Sequence, residues 1–186
     1  IGHFANIPPI ESATDQTLAV LERDPIGPGL VDGKWFGRIG RELLRMARAF
    51  DLKLLAADPY VNAVELAYIG ARKEPLATLM AEADFVVTCP LLTDETRHLI
   101  GAREFARMKP TAYFVNVARG PVVDESSLIA ALAAGRIAGA ALDVFEQEPV
   151  DPANPLLAMD NVIVTPHALC WTDECFHNMA TTGLTS

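Results

Sequence analysis

Apolar residues recur at two different periods along the chain, and their alternation sets the expected architecture. Ile39, Leu43, Leu44, Ala47 and Phe50 fall three or four positions apart, which predicts a helix starting near Arg38. Residues 53–57 (KLLAA) are a short unbroken apolar run ended by Asp58 and Pro59. The pattern then repeats. Leu76, Leu79, Met80 and Ala83 mark one face of a helix, and Phe85 to Thr88 read as a buried strand. Residues 95–109 read as helix in two pieces broken near Gly101, and Ala112 to Val117 as a strand. Asp124 is placed to cap a helix running to Ala134, with Gly135 as its stop. Ile137 to Leu142 and Val162 to Val164 are the last predicted strands. At the other end, Thr14 to Leu21 reads as a short helix, and the Pro- and Gly-rich ERDPIGPGLVDG as loop. Short strands that do not alternate and are separated by helices are buried on both faces. The expected fold is therefore α/β, a doubly wound parallel sheet.

Composition narrows the function classes. The chain has 186 residues, 51% of them hydrophobic, enough for one full domain and part of a second. No apolar run approaches the roughly 20 residues of a membrane span, and no basic-then-apolar leader opens the chain. The net charge is −9 with no basic cluster, so neither nucleic acid nor membrane is expected as a partner. Cys89, Cys170 and Cys175 form no CxxC pair, which fits free, buried thiols in a reducing, cytoplasmic setting. The scatter of Cys170, Cys175 and His177 matches no metal-binding spacing, so no metal is expected. His3, His98 and His177 are read as surface or packing residues.

Candidate chemistry gathers at predicted strand ends. Gly37-Arg38-Ile39-Gly40 opens the first helix, and Asp58 ends the next strand 18 positions after Gly40. Glycines allow close approach to a pyrophosphate, a helix N-terminus supplies N–H groups, and a carboxylate accepts from ribose hydroxyls. Asp58 would also repel a 2′-phosphate, which favours NAD over NADP. The motif is damaged, because Trp35 stands where a first glycine belongs and only LVDGK precedes it. The stretch Asn116 to Pro149 delivers Arg119, Asp143 and Glu148 from two strands to one sheet edge. His167 follows a third strand, and a carboxylate such as Glu148 beside it would raise its pKa and keep it protonated as a general acid. On its own, a His after a strand is more often structural.

With these residues in place, the chain resembles the D-isomer-specific 2-hydroxyacid dehydrogenases in their NAD-binding domain. The segments FGRIGRELLRMARAF, LAADPY, LTDETRHLI, MKPTAYFVNVARGPVVDESSLIAAL, GAALDVFEQEP and NVIVTPH fall in family order from Phe36 to His167. The resemblance implies that Arg119 binds the carboxylate and carbonyl of a 2-oxo acid. It implies that His167 is the proton donor or acceptor and that Glu148 pairs with it. For the cofactor, NAD, it implies pyrophosphate contacts at Gly37, Arg38, Ile39 and Gly40, with Asp58 at the adenosine ribose. Cys89, Pro90 and Thr96 would flank the cofactor, Val117 and Ala118 would lie at the nicotinamide ribose and Asp143 near the carboxamide, with Arg119 and His167 also counted among the cofactor-binding residues. A formate dehydrogenase branch resembles this pattern with Gln where the chain has Glu148, so that reading ranks lower. The alternative is a non-catalytic NAD(H)-sensing or interaction module on the same fold, as in corepressors that resemble these enzymes.

The departures from the family shape the domain reading. Members usually exceed 300 residues and carry a substrate-binding lid domain, of which only remnants are expected here. Residues 1–29 read as the crossover segment from that domain, 30–166 as the dinucleotide-binding domain, and 167–186 as the returning segment. The arm that builds a homodimer interface is shortened to a loop. About five residues of a first strand are missing between Lys34 and Phe36, so the sequence is read as an incomplete copy of a longer chain. Trp171, after His167, is expected to pack against a returning helix.

Overall fold

The computed structural model describes residues 16–21 and 38–184. His3, the Pro- and Gly-rich loop, the Lys34–Phe36 join and Gly37 lie outside the described residues. A seven-stranded, all-parallel sheet organises the rest, in the order β3-β2-β1-β4-β5-β6-β7. The strands are β1 (Thr17–Leu21), β2 (Lys53–Ala57), β3 (Arg72–Lys73), β4 (Phe85–Thr88), β5 (Tyr113–Asn116), β6 (Gly139–Leu142) and β7 (Val162–Val164). The helices are α1 (Arg38–Ala47), α2 (Ala63–Tyr68), α3 (Leu76–Glu82), α4 (Ala102–Phe105), α5 (Glu125–Ala133) and α6 (Asp173–Leu184). The doubly wound parallel sheet expected from the apolar pattern is what the chain forms.

An interior strand of the sheet is the main correction. Thr17–Leu21, read as part of a short helix in an entering segment, is instead an interior strand, third in the order of seven. It pairs with β2 from Thr17↔Lys53 to Leu21↔Ala57 and with β4 from Leu18↔Phe85 to Leu21↔Thr88. Its five side chains are all buried. Leu18 and Val20 join one core cluster with Leu44 and Leu66, while Ala19 and Leu21 join the other with Leu79 and Leu128. A strand apolar on both faces is what a covered parallel sheet requires. Asp84 fixes its start: one carboxylate oxygen accepts from Thr17 N at 2.8 Å, and the other meets Lys109 Nζ at 2.8 Å. The core strand read as missing near Lys34 is thus supplied earlier in the chain, and the dinucleotide-binding sheet reaches back across the expected boundary at residue 29.

Helices cover both faces. Leu44 and Ala47 of α1 and Leu66 of α2 sit in one cluster; Leu79 and Met80 of α3, Phe105 of α4 and Leu128 and Leu132 of α5 sit in the other. Asp124 caps α5 by accepting from Ser127 N at 3.2 Å, and Gly135 follows the helix at φ +62°, both as the sequence pattern predicts. Two expectations shrink. Residues 95–109 contain only the four-residue α4, and the first of the two predicted pieces is turn. The α2–β3 unit, absent from the sequence reading, rests on an Asn62 cap and on Leu66, the buried residue of α2. Trp171 contacts Phe176 of α6 with ring centroids 6.4 Å apart while staying 67% exposed. Among the described residues no helix is long and apolar enough to cross a membrane.

Candidate active site

Strand order locates the site before any side chain is considered. β1 has β2 on one side and β4 on the other, so successive connections leave it in opposite directions. Crevices form at the carboxyl ends of parallel strands at such a switch point. α1 leads almost directly into the start of β2, which runs parallel to β1, so the N-terminal end of α1 lies at that same carboxyl edge. Arg38, Ile39 and Gly40 form its first turn, with Ile39 exposed and Gly40 buried. An apolar cavity of about 370 Å³ opens at this edge, lined by Leu21, Ala57, Asp58, Pro59, Leu76 and Leu99 among others. Asp58 is 2% exposed there and one of its oxygens accepts from Tyr60 N at 2.8 Å. A mostly apolar slot with the buried Asp58 carboxylate at its edge, and Lys73 and Glu74 also lining it, suits an adenosine, so the residues present fit the dinucleotide that the helix-opening glycines suggested.

The catalytic candidates converge along the same edge, beyond β5, β6 and β7. Asn116 ends β5 buried and organises the turn that follows. Its Oδ1 accepts from Thr88 Oγ1 at 2.9 Å and Ala118 N at 3.1 Å, while its Nδ2 donates to Arg119 O at 3.2 Å. Arg119 is exposed, and its Nη1 donates to Ala118 O at 2.7 Å. Gly120 then lies directly on the backbone of the loop after β6, where an added Cβ would fall 1.8 Å from Phe145 O. Only glycine permits that approach.

That loop carries Glu148. Its Oε1 accepts from Phe145 N at 3.0 Å, and its Oε2 sits 2.8 Å from His167 Nδ1. Burial alone would raise the carboxyl pKa. The His167 hydrogen bond, the Phe145 N–H and the charges of His167 and Arg119 outweigh burial and hold it below the ordinary carboxylate value. The influence of Arg119 on this group places all three candidates in one electrostatic neighbourhood. With Nδ1 committed to Glu148, His167 Nε2 has no hydrogen-bond partner among the described residues and is available to another molecule.

His167 sits at φ +53°, a left-handed backbone that needs support. Asp143 supplies it. Its Oδ1 accepts from Thr165 Oγ1 at 2.5 Å and Ala168 N at 3.0 Å, and its Oδ2 from Leu169 N at 3.4 Å. Asp143, linked by resemblance to a cofactor carboxamide, therefore bonds both sides of the His167 turn. Thr96 is likewise turned inward: fully buried, it donates to Leu91 O at 2.6 Å and accepts from Thr93 N at 2.7 Å, shaping the loop after β4. Cys89 and Pro90 are buried where β4 ends, and Val117 and Ala118 follow β5. Cys170 is exposed and Cys175 half-buried, so only Cys89 fits the expected buried thiol. Among the described residues no group of three His, Cys, Asp or Glu side chains could hold a metal.

Sequence reasoning missed Asn116 and His98. Asn116 stands in a buried strand end, where an amide has no reason to be unless it is bonded, and that was the available signal. His98 pairs with Glu146, Nε2 to Oε1 at 2.6 Å, although the two are 48 positions apart and no local pattern joins them.

The switch-point crevice and the helix N-terminus beside it define a doubly wound dinucleotide-binding domain. Comparison with known proteins makes this specific: the family described as "D-isomer specific 2-hydroxyacid dehydrogenase, NAD binding domain" matches residues 35–168, and the chain belongs to it. A glyoxylate/hydroxypyruvate reductase B from Cronobacter sakazakii is 48% identical over 182 residues, covering 89% of this chain and 56% of that protein. A glyoxylate reductase from Korarchaeum cryptofilum is 44% identical over 144 residues, 77% of this chain and 43% of that protein. Among solved structures, D-lactate dehydrogenase with NAD+ from Lactobacillus jensenii has a TM-score of 0.81 at 30% identity, covering 98% of this chain and 55% of that one. The chain thus spans about half the length of the curated relatives it matches.

Proposed function

We propose that the intact protein is an NAD-dependent reductase of small 2-oxo acids, acting on the D-2-hydroxy acid in reverse. The observation that carries this reading is the 2.8 Å His167–Glu148 pair beside the Arg119 turn, at the carboxyl edge of a dinucleotide-binding sheet. NADH, when bound, supplies the hydride. The chain's own residues supply the rest. The Arg119 guanidinium leaves Ala118 O and takes the substrate carboxylate and carbonyl oxygen in its planar fork, which polarises the carbonyl. His167 would donate a proton from Nε2 to the carbonyl oxygen, and Glu148 would stabilise the imidazolium through Nδ1. Asp58 at the adenosine slot accepts from ribose hydroxyls and disfavours a 2′-phosphate, so NAD is preferred to NADP. Arg38, Ile39 and Gly40, in the first turn of α1, would hold the pyrophosphate. Cys89, Pro90, Thr96, Val117 and Ala118 shape the cleft.

Two relatives named for glyoxylate support a small 2-oxo acid as the substrate class. Three cysteines outside any disulfide support a cytoplasmic setting, and the intact protein is read as a homodimer.

The test is Arg119→Ala in the intact protein. Glyoxylate reduction should fall by roughly a hundredfold or more while NADH binding, followed by fluorescence, survives. Unchanged turnover would sink the assignment. NADH binding by the wild type with no turnover on a panel of 2-oxo acids would favour the interaction-module alternative.

A further inference from the structure

His98 is left unused by the mechanism, yet it touches both halves of the site. Its backbone N–H donates to Pro121 O at 2.8 Å, in the short helical turn that follows Arg119. Its ring Nε2 meets Glu146 Oε1 at 2.6 Å, in the loop that carries Glu148. Glu146 is held in turn: its Oε2 accepts from Glu125 N at 3.2 Å and its own N–H donates to Glu125 Oε2 at 2.9 Å. Asn154 Nδ2 donates to the other Glu125 oxygen at 2.7 Å. The residue sits at φ +51°, as His167 does at +53°. The acidic loop therefore carries two His–carboxylate pairs two positions apart, one with the His167 turn and one beside the Arg119 turn.

We propose that His98 and Glu146 are positioning residues whose pairing locks the Arg119 turn in register with the His167–Glu148 pair. The proposal rests on the reading of Arg119, Glu148 and His167 as the catalytic set. The physical reason lies in what else joins the two segments. Gly120 meets Phe145 and Glu146 by backbone contact, and the reciprocal Glu125–Glu146 bonds tie the loop to the start of α5, beyond the Arg119 turn. Packing resists compression but does little against a slide along the contact, and the Glu125 bonds hold the loop at the start of α5 rather than at the turn itself. His98 bonds to the Arg119 side through its backbone and to the Glu148 side through its ring, so a slide must break one of two directional bonds. The ring also faces a concentration of negative charge, since His98 acts electrostatically on Asp124 and bonds Glu146, itself in mutual contact with Glu125. The pair is partly exposed, with side chains 45% and 34% accessible, so its contribution to global stability is small. Its effect is expected in geometry, where a displacement of about 1 Å costs up to about a hundredfold in rate.

The experiment compares His98→Leu, Glu146→Ala and Glu146→Gln. Glu146→Gln keeps an acceptor for Glu125 N and, with the imidazole tautomer exchanged, a bond to His98, so it serves as the conservative rescue. In the 186-residue chain, ¹⁵N resonances of the His167 ring are recorded for each variant. In the intact protein, glyoxylate kcat and KM are measured alongside NADH affinity. His98→Leu and Glu146→Ala should both displace or broaden the His167 Nδ1 resonance and lower kcat/KM by about ten- to a hundredfold. NADH affinity should stay within about twofold, and Glu146→Gln should behave like the wild type. Folded variants with an unmoved His167 resonance and unchanged kcat/KM overturn the proposal. If His98→Leu does not fold, Glu146→Ala measured against Glu146→Gln separates the same two outcomes. A wild type that shows the coupled His167 resonances but reduces no 2-oxo acid would refute the catalytic reading while supporting the lock.

Discussion

The Cα of Gly120 faces the Phe145 carbonyl so closely that a methyl group built on it would stand 1.8 Å from the oxygen and 2.0 Å from the carbon. Both obstacles are backbone, with no flexible side-chain end to swing aside. Gly120→Ala must therefore separate the Arg119 turn from the Glu148 loop. The expected cost is about 3 kcal/mol or more in a denaturant melt, with turnover lost even in the fraction that folds.

Asp143 gives a test of support against contact. Both of its oxygens are engaged by the His167 turn. Asp143→Ala should cost about 2–3 kcal/mol of stability by urea unfolding and release the left-handed His167. Turnover should fall much further than NADH affinity. A variant that loses NADH affinity while its stability is unchanged would instead show a direct cofactor contact as the residue's main role.

Asn116→Leu replaces a buried amide with a side chain of similar volume. Ala118 N then loses its acceptor and Arg119 O its donor, while Thr88 Oγ1 retains Val115 O at 3.2 Å. The expected penalty is about 2 kcal/mol. Because the loosened segment carries Arg119, KM for a 2-oxo acid should rise by a larger factor than kcat falls. Steady-state kinetics at saturating NADH would check this.

Asp124 predicts the acid limb of stability. The Ser126 and Ser127 hydroxyls donate to its carboxylate and, with the Ser127 N–H and the charge of His98, hold its pKa at about 2 against an ordinary 3.8. A folded pKa below the unfolded one means the unfolded chain takes up the proton first as pH falls. The contribution is complete above the unfolded pKa and disappears as pH drops through the folded one. Between about pH 4 and pH 2 the wild type should lose roughly 1–2 kcal/mol from this group. Asp124→Asn still caps α5 but cannot titrate, so its stability should be flatter across that window. Glu148 has the same sign, its carboxyl also being depressed. Glu148→Gln should reduce the acid-side loss further while also removing the negative charge beside the His167 ring.

Features held within a few residues were legible in the sequence. The Asp124 cap, the Gly135 stop, the apolar strands β2, β4, β5 and β7 and the strand-end positions of Asp58, Arg119, Glu148 and His167 all depend on local periodicity or turn chemistry. Their convergence on one edge follows from topology, since parallel strands joined by helices all point their carboxyl ends the same way.

Tertiary structure decided what depends on distant partners. Thr17–Leu21 is too short and too uniformly apolar for periodicity to separate strand from helix. It becomes an interior strand because the ladders of β2 and β4 flank it and Asp84, 67 positions on, receives its first N–H. The same holds in the site. The sequence by itself established which charged groups stand at strand ends and which family they resemble. The contacts that set them against one another, Gly120 on Phe145, Asp143 under His167 and His98 on Glu146, join residues 22 to 48 positions apart. Such contacts form only after the chain has folded, because no local preference of either partner encodes the other.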